Sequence, residues 1–197
     1  MKKTLQYFFF TALGTVLMAA DCSNKDSEFY NDVFVSSPEL VTVYMDDTLP
    51  TDQNITVEAD IDRLLSVPGH SRPLDIFKTT GGAGKLEFSY EIEKLTDGEW
   101  VAVSIQESQI TVHRGQAYGG DFILGKCVYN SVSDQYEFKA SLSGFSAGSY
   151  RLSFGYNSLS TTDVEFRSES IGNNLFLNLN SRYSELDGGG YYPFTIE

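Results

Sequence analysis

Lys85-Leu86-Glu87-Phe88-Ser89-Tyr90-Glu91-Ile92-Glu93 alternates residue by residue between polar and apolar side chains. Successive side chains of a strand point to opposite faces, so Leu86, Phe88, Tyr90 and Ile92 share one face and the charges share the other. The stretch therefore reads as a β-strand buried on one side. A second run, Trp100-Val101-Ala102-Val103-Ser104-Ile105, follows it after Thr96-Asp97-Gly98. Asp-Gly between two such runs predicts a tight hairpin, because the favoured two-residue turn needs positive φ at both central positions. The same period of two recurs at Ile55, Val57, Ala59 and Ile61, at Tyr136, Phe138, Ala140 and Leu142, at Tyr150, Leu152, Phe154 and Tyr156, and at Leu175, Leu177 and Leu179. Short strands with Gly, Asn, Asp and Ser between them predict an all-β sandwich or barrel.

The only stretch with helical character is Ile61-Asp62-Arg63-Leu64-Leu65, and Pro68 limits it to a turn or two. One domain over residues 38–197 suits the length, and there is no linker or internal repeat to divide it. Ala147-Gly148-Ser149-Tyr150-Arg151-Leu152 resembles the corner before a late strand of an immunoglobulin-like domain. The resemblance implies a single immunoglobulin-like antiparallel β-sandwich in which the Tyr150 hydroxyl bonds back to upstream backbone, with Leu152 where antibody domains carry a cysteine. Trp100 suits the hairpin's second strand and the core tryptophan of such a domain equally well, and is expected to pack in the core. Tyr192-Pro193 predicts an edge position for the last strand, since proline cannot donate to a ladder.

The N-terminus has basic Lys2 and Lys3, an apolar stretch from Leu5 to Ala20, and then the abrupt polar run Cys22-Ser23-Asn24-Lys25-Asp26-Ser27-Glu28. This is the layout of a secretory signal, and the apolar part falls short of the roughly 20 residues that span a bilayer comfortably. It resembles the signal of a bacterial lipoprotein, with Ala19 and Asp21 where that family usually has Leu and a small residue. The resemblance implies cleavage after residue 21 and a diacylglyceryl group on Cys22, the first mature residue. The polar run after the cysteine looks like those of surface-exported lipoproteins of the Bacteroides and Flavobacterium groups. Residues 1–21 are thus read as signal and 22–37 as lipidated cysteine and flexible tether. The expected location is the outer membrane, lipid-anchored, at the cell surface. The alternatives are a periplasm-facing domain or retention by an uncleaved N-terminal helix.

Charge narrows the partners. The chain carries 14 Lys and Arg against 27 Asp and Glu, a formal net charge of −13, and removing residues 1–21 leaves about −14. Without a run of Lys and Arg, such a body repels phosphate backbones, so nucleic acid is not an expected partner. The two cysteines are Cys22 and Cys127. Lipidation of the first leaves Cys127 unpaired, and its strand-like context, Phe122 to Tyr129, reads as a small buried hydrophobe; without lipidation the two could form a disulfide.

Catalytic patterns are mostly missing. His70 and His113 have no partner at ligand spacing, so zinc is not expected, and His70 next to Ser71 lacks the geometry of a triad. Gly81-Gly82-Ala83-Gly84-Lys85 departs from a phosphate loop, with Thr79 at the first glycine position, Leu86 at the Ser/Thr position and a strand following. No Gly-x-Ser-x-Gly elbow occurs, and Gly188-Gly189-Gly190 reads as a loop before a final strand. The chain is read as no enzyme, with no cofactor. Asp46-Asp47 and Asp60-Asp62 are paired carboxylates; Asp60 and Asp62 share a strand face and are a weak Ca²⁺ candidate.

Aromatic residues carry the functional expectation. Tyr118, Tyr129, Tyr183, Tyr191 and Tyr192 lie in or beside Gly- and Asn-rich loops, where flat rings can stack on sugars or anchor peptides. Tyr118, Tyr183, Tyr191 and Tyr192 are the candidate ligand-binding residues of a non-catalytic surface module for glycan or protein. A structural component of the envelope or of a surface fibre is the alternative, and a glycan-active enzyme comes third.

Overall fold

The computed structural model describes residues 33–36, 41–44, 48–155, 164–169, 175–179 and 187–197, all within one compact unit, Asp32–Glu197. The strands in chain order are β1 (Val33–Ser36), β2 (Val41–Tyr44), β3 (Thr48–Leu49), β4 (Ile55–Asp62), β5 (Leu64–Leu65), β6 (Leu74–Asp75), β7 (Lys85–Thr96), β8 (Glu99–Ala102), β9 (Ile110–Arg114), β10 (Gln116–Tyr118), β11 (Ile123–Asn130), β12 (Gln135–Leu142), β13 (Gly148–Ser153), β14 (Val164–Ser168), β15 (Leu175–Leu179) and β16 (Tyr192–Ile196). The fold is nearly all β, a curled sheet of sandwich-like form. Its long path runs β1-β15-β14-β7-β11-β12-β4-β2, and a second group, β8, β13, β16 and β3, continues from the far half of β7.

Strand β7 is the hinge of this arrangement. Its first half pairs with β11 and β14, and its second half pairs with β13 and β8. Leu86, Phe88, Tyr90 and Ile92 are buried as the alternation requires. Ser89 is also buried, so β7 is covered on both faces at the point where it passes from one half of the sheet to the other. Phe88 lies at the centre of the core, with ring centroids 4.9 Å from Phe138 and 4.8 Å from Phe166. Tyr90 and Phe154, 5.8 Å apart, and Phe154 and Tyr192, 6.3 Å apart, extend the aromatic packing toward β16. Such ring pairs add to the area they bury, about 0.5–1.5 kcal/mol each.

Several local expectations hold. The β7–β8 loop is the two-residue turn Asp97-Gly98, with φ of 53° and 87° and Thr96 opposite Glu99. Tyr150 donates its hydroxyl to the Ser146 carbonyl at 2.8 Å, the corner bond implied by the sequence. Cys127 is fully buried, and burial pushes its thiol well above the usual range. Gly81 and Gly82 form a turn before β7. Strand β16 is not the edge strand expected, since it pairs with β13 on one side and β3 on the other, but Pro193 lies in the half that β3 does not reach.

Other expectations are corrected. The stretch Ile61–Leu65 is not helical: β4 runs through Asp62 and β5 holds Leu64 and Leu65, because the apolar alternation that starts at Ile55 continues and pairs with β12. The short helix is α1 (Ile76–Thr79), capped by Asp75, whose carboxylate accepts from the Lys78 amide at 2.9 Å and holds Arg63 through two bonds. Strand β1 falls inside the segment read as tether. It pairs parallel with β15, and β16 pairs parallel with β3, so the sheet is not wholly antiparallel. Among the described residues no helix is long and apolar enough to cross a membrane.

Candidate functional site: an aromatic and guanidinium face

Four strands, β8, β7, β13 and β16, present one outward face whose register can be read directly. Glu93 of β7 stands opposite Ala102 on one edge and opposite Arg151 on the other, and Arg151 stands opposite Pro193. Two residues further along β7, Leu95 faces Trp100. The tight Asp97-Gly98 turn fixes that pairing, because in a two-residue hairpin the loop length sets the register. The outcome is a surface row of Ala102, Glu93, Arg151 and Pro193 flanked by Leu95 and Trp100.

Tyr191 reaches the same place from a loop organised by Asp187. The Asp187 carboxylate accepts from the amides of Gly189 at 2.8 Å and Tyr191 at 3.0 Å, and the Asp187 amide donates to the Tyr191 carbonyl at 2.8 Å. Gly190, with φ of 83°, makes the turn that an L side chain would strain. Tyr191 is thereby held in front of β16.

Arg151 joins the two rings. Its guanidinium carbon lies 4.6 Å from the centroid of Trp100 and 3.6 Å from that of Tyr191, and its Nε donates to Glu93 at 2.5 Å. A guanidinium over an aromatic face contributes about 0.5–1 kcal/mol when exposed and about 2 when desolvated. Arg151 and Glu93 are both mostly shielded, so neither long side chain is free to sample many rotamers. Such prior ordering lowers the entropy lost when a ligand is bound. Glu91, opposite Ser153, completes the face; burial, aided by Glu93, raises its carboxyl above the ordinary range. Trp100 is 36% exposed and Leu95 41% exposed, so apolar surface remains open beside the ion pair. The assembly offers flat rings next to hydrogen-bonding groups, which is equipment for binding.

No family model matches this chain, and no curated protein is found to be similar to it.

The positions singled out in the sequence divide. Tyr191 belongs to the face just described. Tyr192 does not: it is 3% exposed and packs its ring against Phe154, because neighbours on β16 point to opposite sides and its side is the core. Tyr118 is 44% exposed on β10, with the Lys126 ammonium 5.8 Å from its ring centre, and lies apart from Trp100 and Tyr191. Tyr129 packs between Phe77 and Tyr136 and donates to Asp134. Cys22, Tyr183 and Asp46-Asp47 lie outside the described residues. Trp100 is corrected from a core residue to a surface one. Its strand, β8, is exposed at every position, and only the Asp97-Gly98 hairpin and the following alternation pointed to that.

Asp60 and Asp62 share the outward face of β4 as expected, but each has a protein partner. Arg114 bonds to Asp60 at 3.1 Å and also to Glu58, which accepts from Lys139 at 3.0 Å; Gln135 donates to Asp62 at 2.8 Å. Burial still raises the Asp60 carboxyl, outweighing Arg114. Among the described residues no group of three or more His, Cys, Asp or Glu side chains is placed to hold a metal ion. No local pattern signals that His113 approaches Ser141, with Nε2 and Oγ 2.8 Å apart. Ser141 is buried and its hydroxyl lies 2.7 Å from that of Thr56, so the contact ties β9 to β12.

Proposed function

We propose that the protein is a non-catalytic, lipid-anchored binding module of a bacterial cell envelope, held in the outer membrane through Cys22 and capturing glycan or protein at the cell surface. The observation that carries the binding part is the Trp100, Arg151 and Tyr191 stack on an exposed sheet face. Exposed, ordered aromatic residues beside a shielded ion pair are what binding surfaces use, because rigid rings supply contact area at small entropic cost. The anchor rests on the signal layout and on the cysteine that follows it.

Two measurements test the reading. Wild type and a Trp100→Ala/Tyr191→Ala double variant are compared on arrays of polysaccharides and extracellular proteins; equal binding by both removes this face from the function. Protease treatment of intact cells, alongside Cys22→Ala, tests the location. Degradation of the wild type with release of the variant supports a surface anchor, and full protection with the variant still retained argues for an inward-facing role.

One observation favours assembly as a second reading. Strand β8 pairs with β7 and, among the described residues, has no named strand on its other edge. Such an edge accepts a neighbour's strand. Oligomers that grow with concentration in sedimentation, and vanish when Ala102, whose amide faces away from β7, is replaced by proline, would support it.

A further inference from the structure

The surface at Trp100 also limits which ligand it can take, an inference that rests on the binding reading above. On the outward face, Glu91 and Glu93 stand on β7, and Asp187 lies beneath Tyr191. Arg151 is the cation set among them, and its Nε is already committed to Glu93. Local charge is therefore negative, on a chain whose formal net charge is −13. An anionic polymer approaching this face meets repulsion from the patch and from the whole body.

Neutral sugars meet no such barrier. The C–H groups on one face of a pyranose ring carry weak positive charge, and the face of an aromatic ring carries negative charge from its quadrupole, so the two stack. The guanidinium covers one face of the Trp100 ring, and the residue is still 36% exposed. Beside that ring, the Glu93 carboxylate can accept from sugar hydroxyls and the terminal amino groups of Arg151 can donate to them, with Glu91 further along β7. Donor and acceptor groups at the rim of an apolar platform match the alternation of C–H faces and hydroxyl edges in a sugar chain.

We propose that the Trp100, Arg151 and Tyr191 face binds uncharged oligosaccharides and rejects acidic ones. The ion pair then serves as a paired donor and acceptor for hydroxyls, and the flanking carboxylates set the selectivity. A peptide ligand is the competing class and becomes an outcome of the test.

Affinity electrophoresis of the full chain through gels containing neutral polysaccharides (a β-glucan, a mannan, a xylan) and acidic ones (polygalacturonate, heparin) tests this. Retardation in at least one neutral gel is expected, with at least tenfold weaker retardation in every acidic gel. Trp100→Ala should abolish it, and Trp100→Phe, which keeps a ring, should restore part of it; near-ultraviolet circular dichroism checks that both fold. Stronger binding to an acidic polymer through Trp100 would overturn the selectivity and leave the binding module standing. Trp100-dependent binding of peptides alone would overturn the sugar assignment in the same way. Binding of any ligand that is indifferent to Trp100 would overturn the site itself.

Discussion

Adding one methyl group at Gly125 should destabilise the fold measurably, and removing the ring above it should cancel most of that effect. Gly125 of β11 stands opposite Phe88 of β7, and a Cβ built there would lie 2.6 Å and 2.7 Å from Phe88 ring carbons and 3.2 Å from Phe138. Phe88 is 2% exposed and packed against Phe138 and Phe166, so it has little room to retreat. Overpacking a filled core costs about 1–3 kcal/mol. Against this, Gly→Ala gains about 0.4–1 kcal/mol by restricting the unfolded chain. The net loss for Gly125→Ala is about 0–2.6 kcal/mol; at the middle of that range, about 1.3 kcal/mol, Tm falls by about 3–5 °C for a protein of this size. In a Phe88→Leu background the clash is relieved, and the same substitution should become neutral or slightly stabilising. Thermal unfolding by calorimetry of the four proteins gives the coupling directly, and its expected value is the clash cost itself, about 1–3 kcal/mol. Equal effects of Gly125→Ala in both backgrounds would refute the close approach of β11 to the Phe88 ring.

Tyr150→Phe, which deletes the hydroxyl bonded to the Ser146 carbonyl, should lower stability in urea by about 1 kcal/mol, and no change would deny the corner its role. Asp75→Asn should show a pH signature. The hydrogen bonds from Arg63 hold the Asp75 carboxyl below the ordinary aspartate range, so the ionised form is favoured in the folded state. Its contribution is therefore full above the unfolded value and disappears as pH falls through the folded one; the stability gap between wild type and variant should be constant near neutrality and shrink below about pH 4. Cys127, buried with its thiol pushed up, should resist alkylation in the folded protein and react once urea unfolds it.

How much of this was visible in the chain depends on which physical signal each element leaves. The strands β4, β7, β12 and β13 announce themselves because burial on one face imposes a period of two, and Asp97-Gly98 announces its turn because few residues accept positive φ. Helix α1 was missed, although Asp75 before Ile76 is an N-cap signal, because four residues are too few to show a period. The pairing of β1 with β15 joins segments far apart in the chain, and no local pattern encodes such a contact. At the candidate site Tyr191 was legible as a loop aromatic. Trp100 was not, since an aromatic residue in an alternating run looks the same whether its face is inward or outward. Arg151 was silent because its significance comes from Glu93 across the strand pair and from two rings brought in by β8 and the Asp187 loop.

Trp100 is the chain's single tryptophan, so its fluorescence reports on the candidate face alone. Titrating the intact protein with neutral hexasaccharides while recording Trp100 emission and, in parallel, heat of binding tests the site most directly. A saturable emission change with the same midpoint as the heat places the ligand on the Trp100, Arg151 and Tyr191 face. Heat of binding with no change in emission, retained in Trp100→Ala, would show that the ligand sits elsewhere.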